Sequence, residues 1–427
     1  MRFAATVPAG IAIGALCASA LAFAAVQTQQ QPGAWTQFRL SGSNNAVLPG
    51  TLQTAWQIQT GGAFSSSPAI AGSVLYAGDN AGNLYALDLR SGKVRWRAKA
   101  ANPLMSAPIL YDGLVIVGEG DENSPQGSSP SHPIRVGAPP SALLAFDRAT
   151  GALRWRIPLP GTGMPTPAIV NGVLVHHNGA GRVLGINPQT GAVLYERNLH
   201  SIASMVAALP VGNGRVATSG VDQNAVWMLD AKDGRVLWRT NFSPIASGIG
   251  DCPAATDGKR LYCNYVMPPT SSVAVQTERQ AVTRAYAIDL QTGKRVWDVL
   301  LDKGTLPKRN EASIPLLAGG TLYFGSAVDN WMHALDPQTG ALKWKQHTRG
   351  TVKGGVVEVN GTIYFGDLGG YLWALDADTG RVIGVKNMRT PFNVGSPVVA
   401  GQTLIIGSRG GTLTAIPLRD ISSAHDS

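Results

Sequence analysis

Side chains able to do chemistry are sparse in this sequence, and their spacing excludes more than it offers. His176, His177, His200, His333 and His347 share no common spacing, so a metal site built from them is not expected. The chain has no G-x-S-x-G nucleophile context, no phosphate-cradling glycine loop, no C-x-x-C-H attachment and no basic-aromatic stretch on a helix. Hydrolase, kinase and nucleic-acid readings therefore find no support in its motifs. What remains is a set of residues at corresponding places in successive segments: Met105, Met164, Met205, Asp251, Asn310, Glu311, Lys353 and Asn393. The methionines read as adaptable packing. Asp251, Glu311 and Lys353 are charges that either bind a charged ligand together or neutralise one another.

The elements that must position this set are written as a repeat. YALDLRSGKVRW (85–96), LAFDRATGALRW (144–155), LGINPQTGAVLY (184–195), WMLDAKDGRVLW (227–238), YAIDLQTGKRVW (286–297), HALDPQTGALKW (333–344) and WALDADTGRVIG (373–384) are seven copies of one pattern, and LTAIPLRDIS (413–422) keeps its first half. Each copy reads as a strand, a turn closed by glycine and a second strand. The glycine supplies positive φ, the aspartate accepts hydrogen bonds from turn amides, and Trp96, Trp155, Trp238, Trp297 and Trp344 offer large faces to a neighbouring unit. Two further strands precede each hairpin, as in SSPAIAGSVLYAGD (66–79) and GSPVVAGQTLIIGS (395–408).

Four strands in units near 40 residues predict an all-β propeller of four-stranded antiparallel blades. The last unit lacks its fourth strand, whereas TAWQIQT (54–60) is an orphan strand with Trp56 where the missing tryptophan belongs. Seven complete blades and one composite blade make eight, with the ring closed by the N-terminal strand. Such blades place the start of the first strand, the link between second and third strands, and the end of the fourth on one rim. The repeat is interrupted on that rim three times: between Glu119 and Ser141, between Met267 and Arg284, and in LDKGTLPKRNE (301–311). The loop-rich face is the expected binding surface.

Fifty-one glycines and 14% charged residues agree with many tight turns. Residues 1–24 read as a secretory signal, with Val7 to Leu21 apolar and Ala22-Phe23-Ala24 as the cleavage site. Residues 25–50 form an approach segment, 51–420 the propeller and 421–427 a tail, with no transmembrane segment in the mature chain. Cys17 lies in the signal without the leucine spacing of a lipidation site. Cys252 and Cys263 then remain as an even pair in a disulfide-permissive compartment, facing each other across a hairpin that turns through Asp257 and Gly258. The formal charge of +9 suits anionic partners, although many of the basic residues fall on outer strands, where charge blocks edge-to-edge pairing.

The pattern A-x-D-x-x-T-G-x-x-x-W, with WTQFRLSG (35–42), resembles the pyrroloquinoline-quinone (PQQ) repeat superfamily across about residues 35–420. That superfamily includes quinone-dependent dehydrogenases of alcohols and sugars, and the propeller lipoprotein of the outer-membrane barrel assembly machinery. Resemblance to the dehydrogenases implies PQQ and calcium as cofactors, with Asp251, Asn310 and Glu311 around the ion, Asp251 as base, and Asn310, Glu311, Lys353 and Asn393 toward the quinone. Resemblance to the assembly propeller implies a periplasmic scaffold, peripheral to the outer membrane, that binds an envelope protein. Size, export and plain repeats favour a scaffold binding an envelope protein or small anionic ligand, without catalysis of its own. The alternative is a PQQ-dependent dehydrogenase.

Overall fold

The computed structural model describes residues 35–121, 140–243, 246, 248–267, 280–305 and 312–424. The proposed signal, Cys17, Asn310, Glu311 and most of the three interruptions lie outside the described residues. Eight sheets radiate around a central channel, each antiparallel within its four-stranded blade. Blade one comprises Ala69–Ala71, Val74–Gly78, Asn83–Asp88 and Val94–Lys99, and the pattern recurs through blade seven, Val357–Val359 to Val382–Asn387.

Alternation along the strands follows from their place in the ring. Inner strands are buried on both faces, as in Leu114–Glu119, whereas the outermost strands, such as Val94–Lys99, alternate exposed and half-buried residues. Arg95, Arg97 and Lys99 accordingly stand on an edge facing solvent.

One contact joins the blades again and again. Trp96 lies on the turn of the next blade, its indole N–H donating to Arg148 O at 3.1 Å. A Cβ on Gly151 would come within 2.6 Å of the Trp96 ring, so this position requires glycine for space as well as for its φ of 76°. The same donation links Trp155 to Pro188, Trp238 to Leu290, Trp297 to Pro337 and Trp344 to Ala377. In blade three Tyr195 takes the tryptophan's place and donates to Ala231 O at 2.9 Å. The turn carboxylates do what their spacing asks: Asp147 accepts from the amides of Ala149 and Thr150 and from the Thr150 hydroxyl.

Ring closure uses both ends of the chain. Trp56–Gln59 pairs antiparallel with Thr412–Pro417, setting Trp56 opposite Ala415, and the Trp56 indole donates to Leu89 O across the blade-one interface. Blade eight also gains a fifth, innermost strand, Val47–Leu48, parallel to Val398–Ala400. The approach segment is therefore structural. It passes along the inner strands, its carbonyls accepting from Leu110, Ile169, Thr256, Leu317 and Val399, and so closes one end of the channel.

Arg39 holds this closure in place from a fully buried position. Its guanidinium donates to Asn44 O at 2.8 Å, Pro397 O at 2.9 Å and Val356 O at 2.5 Å. Asn44 adds bonds to Pro253, Ala254 and Pro315. Arg39, Leu40 and Asn44 all have positive φ, a strain that a segment bonded to so many blades can sustain.

Blade five departs from a loop insertion of the expected kind. Arg260–Met267, Gln280–Asp289 and Arg295–Thr305 are longer than their counterparts and paired to the ends, Gln280 opposite Thr305. Residues 280–284 and 301–305, expected in the interruptions, instead extend the blade, because alternating buried positions such as Ala281 and Thr283 continue its core.

Candidate binding site at the channel mouth

Opposite the closed end, the starts of the eight inner strands surround a funnel open to solvent. Its upper ring takes one residue from each blade in turn: Ser65, Met105, Met164, Met205, Asp251, Ala312, Lys353 and Val394. A second ring includes Ser67, Ala107, Thr166, Pro253 and Ile314, and Phe38 of the approach segment also lines the space. Phe38 packs with Ala107, Ala207 and Ile314, a small apolar floor separate from the larger cores.

Backbone bonding fixes the height of several ring members. Thr166 and Ala207 form a parallel bridge between blades three and four, and the Thr166 hydroxyl accepts from the Ala107 amide at 3.1 Å. The carbonyl of Gly250 accepts from the amides of Ser204, Met205 and Val206 at 3.1, 3.2 and 3.1 Å, tying Met205 to the short 3₁₀ turn Ile249–Asp251 that presents Asp251. Immediately after that turn, Cys252 is bonded to Cys263, with their Cα atoms 6.3 Å apart and both residues buried. Lys353 is buried despite its charge.

Of the residues singled out in the sequence, Met105, Met164, Met205, Asp251 and Lys353 line one space. Asn393 is half-buried beside Val394, with its carbonyl near Gly354. Asn310 and Glu311 fall outside the described residues, so the calcium set implied by the dehydrogenase resemblance is represented by Asp251. Ala312 and Lys353 follow Asp251 around the ring, which places a cation where further anionic donors would be needed. Among the described residues, no three His, Cys, Asp or Glu side chains gather to hold a metal ion. The sequence reading missed Phe38 and Arg39. Their signal was present in WTQFRLSG, but nothing local says that this segment turns into the channel.

The rim around the funnel carries the interruptions. Glu119, at the edge of the blade-two interruption, is buried and accepts from the amides of Ala101 and Asn102 and from Arg156, anchoring the attachment point. Trp331, at the start of a blade-six strand on this side, lies under Lys345, whose ammonium is 4.4 Å from the ring centroid, and edge-on to His347. Among the described residues no helix is long and apolar enough to cross a membrane.

Comparison with known proteins places these features. Tetrathionate hydrolase of Acidithiobacillus ferrooxidans is 26% identical over 373 residues, 83% of this chain and 73% of the relative. Outer membrane protein assembly factor BamB of Yersinia pestis is 25% identical over 366 residues, 82% of this chain and 83% of the relative. Among solved structures, a quinohemoprotein alcohol dehydrogenase from Pseudomonas putida HK5 aligns with a TM-score of 0.65 at 13% identity, covering 93% of this chain and 82% of that one, a likeness of fold alone. The hydrolase relative narrows the earlier exclusion: lack of a serine-nucleophile motif speaks against that kind of hydrolysis and not against every kind. The sequence model of the PQQ-repeat family described as outer membrane protein assembly factor BamB matches residues 14–129, 139–265 and 281–420, and the chain belongs to that family.

Proposed function

We propose that this chain is a periplasmic binding or scaffold propeller, peripheral to the outer membrane, that captures an envelope protein on the rim around the funnel. The observation that carries this reading is the convergence of the repeat's departures. The blade-two and blade-five interruptions, and the segment following Thr305, all attach on the rim where the eight-membered ring opens. A rigid ring whose departures from the repeat attach on one face suits recognition of an extended or folded partner, and the lysine in the funnel suits an anionic group on it or a small anionic ligand. Membership of a family described by outer-membrane assembly supports the same conclusion.

The test is genetic. Expressed in cells lacking BamB, the chain is expected to restore outer-membrane protein levels, and variants lacking residues 122–139 or 268–279 are expected to fold and fail. No restoration by a well-expressed, exported chain overturns the assembly role.

A second reading is favoured by the hydrolase relative and by Asp251 in a funnel. As an enzyme the chain would act at that mouth, either on a polythionate or as a PQQ-dependent dehydrogenase of alcohols or sugars with Asp251 as base. Consumption of tetrathionate, or calcium-dependent PQQ binding with dye reduction, selects it; loss of that activity in Asp251→Asn locates it.

A further inference from the structure

The upper ring of the funnel has an uneven composition. Three successive blades contribute methionine, and the other five contribute Ser65, Asp251, Ala312, Lys353 and Val394. The whole chain has eight methionines. Three of them thus occupy neighbouring places in a single eight-residue ring. The register of Met164 and Met205 is imposed by the backbone, and Met105 is tied to it through the Thr166 hydroxyl. Met164 and Met205 each stand two residues before a partner in the Thr166–Ala207 bridge, and Met105 stands two residues before Ala107, which bonds to Thr166. Paired backbones lie about 4.8 Å apart. Thioethers on three-bond side chains can therefore meet from such neighbouring positions. Leucine or alanine would line an apolar funnel without offering a metal donor, whereas thioether sulfur offers one.

We propose that Met105, Met164 and Met205 form a soft-metal site for monovalent copper. Thioether sulfur is a soft, neutral donor suited to Cu(I) and poorly suited to calcium or magnesium. Asp251, next in the ring after Met205, supplies a negative charge to the cation's surroundings, while Lys353 lies two places further on. The opening of the funnel gives the ion access from solvent. A thioether has no proton to lose, so binding by this set persists in mild acid, where imidazole and thiol ligands become protonated. This site is independent of whether the rim serves a scaffold or an enzyme.

Silver(I) is the probe, because it shares the softness of Cu(I) and needs no reductant that would open Cys252–Cys263. The full chain, carrying Cys17→Ser so that no free thiol competes for the ion, is titrated calorimetrically with silver nitrate in chloride-free buffer at pH 7 and pH 5. One equivalent is expected to bind at both values. Met105→Leu, Met164→Leu and Met205→Leu are each expected to weaken binding by about tenfold or more, and the triple variant to abolish it. Leucine conserves volume, and an unchanged thermal melt confirms the fold. Binding that survives in the triple variant, no binding by the parent chain, or binding lost between pH 7 and pH 5 overturns the proposal. X-ray absorption of the Cu(I)-loaded chain gives an independent readout: sulfur scattering from the metal is expected, and a shell of nitrogen and oxygen alone also overturns it.

Discussion

At the residue scale, the interior holds polar groups whose costs differ by partner. His176 is buried and neither of its ring nitrogens has a partner among the described residues; burial pushes it down to about 3. His177 is pushed down to about 4 by burial, against the opposing effect of its bond to Ser201 O. Both are depressed below the unfolded value near 6.5, so the unfolded chain binds protons first. Stability is complete above that value and falls as the pH drops through the window toward 4. Each histidine then contributes a loss of about 1.4 kcal/mol per pH unit below roughly 6. His176→Leu is expected to flatten its share of this slope in urea unfolding between pH 7 and pH 4.5; an unchanged slope contradicts the assignment. A second, more acid window belongs to the turn carboxylates. Asp88 is held at about 2, chiefly by the Arg95 guanidinium, and Asp147 is lowered chiefly by the Thr150 amide, so their support remains above the unfolded value near 4 and is lost below it.

Arg39 is a costly buried residue to replace, because among the described residues its charge is held by backbone carbonyls alone. Burial pushes its guanidinium down to about 9, and its stabilising partners are backbone carbonyls. Arg39→Leu leaves three buried acceptors without a donor and is expected to cost about 3–5 kcal/mol. Arg39→Lys is expected to recover little, because an ammonium cannot reproduce the planar fork that reaches three carbonyls at once. Chemical denaturation of the two variants checks both statements.

At the element scale, blade seven shows how two departures from the repeat answer each other. Gly384 stands opposite Ala374, at the place where Trp344 faces Ala334 in blade six. Its counterpart is the turn missing after LTAIPL. In place of that turn the chain forms the short helix Leu418–Ser422, whose buried Ile421 packs against blade seven. A Cβ on Gly384 would lie 2.1 Å from Ile421 O, and Val385 donates to Ala424 O. Gly384→Trp, which restores the repeat pattern, is therefore expected to destabilise the chain by about 3 kcal/mol or more through overpacking. A thermal melt equal to or above the parent's would show that the helix is dispensable.

At the scale of the whole molecule, stability rests on a closed ring, since each blade buries its faces against two neighbours. Trp56 joins the first segment of the propeller to the last blade and also docks on blade one. Trp56→Ala is expected to cost about 3–5 kcal/mol. Because it loosens the closure as well as a local contact, hydrogen exchange is expected to rise in blades one and eight together. Exchange confined to residues near Trp56 would mean that closure contributes little to cooperativity.

Repetition, period and turn chemistry made the propeller readable in the sequence. Seven glycine turns, their tryptophans or tyrosine and the orphan Trp56 specify blade number and closure through contacts that recur at fixed spacing. The same spacing brought the mouth residues into view, because equivalent positions in equivalent blades must share a height. Other features depended on where the chain went after leaving the pattern. Phe38 and Arg39 became floor and anchor only when residues 35–48 turned into the channel, and blade five absorbed residues that looked like loop. The complementarity of Gly384 and the C-terminal helix likewise joins segments distant in sequence. Local rules act over a few residues and are written in each copy of the repeat. The channel's closed end, its ring of side chains and the partners of its buried charges are set by packing between distant segments, which tertiary structure alone decides.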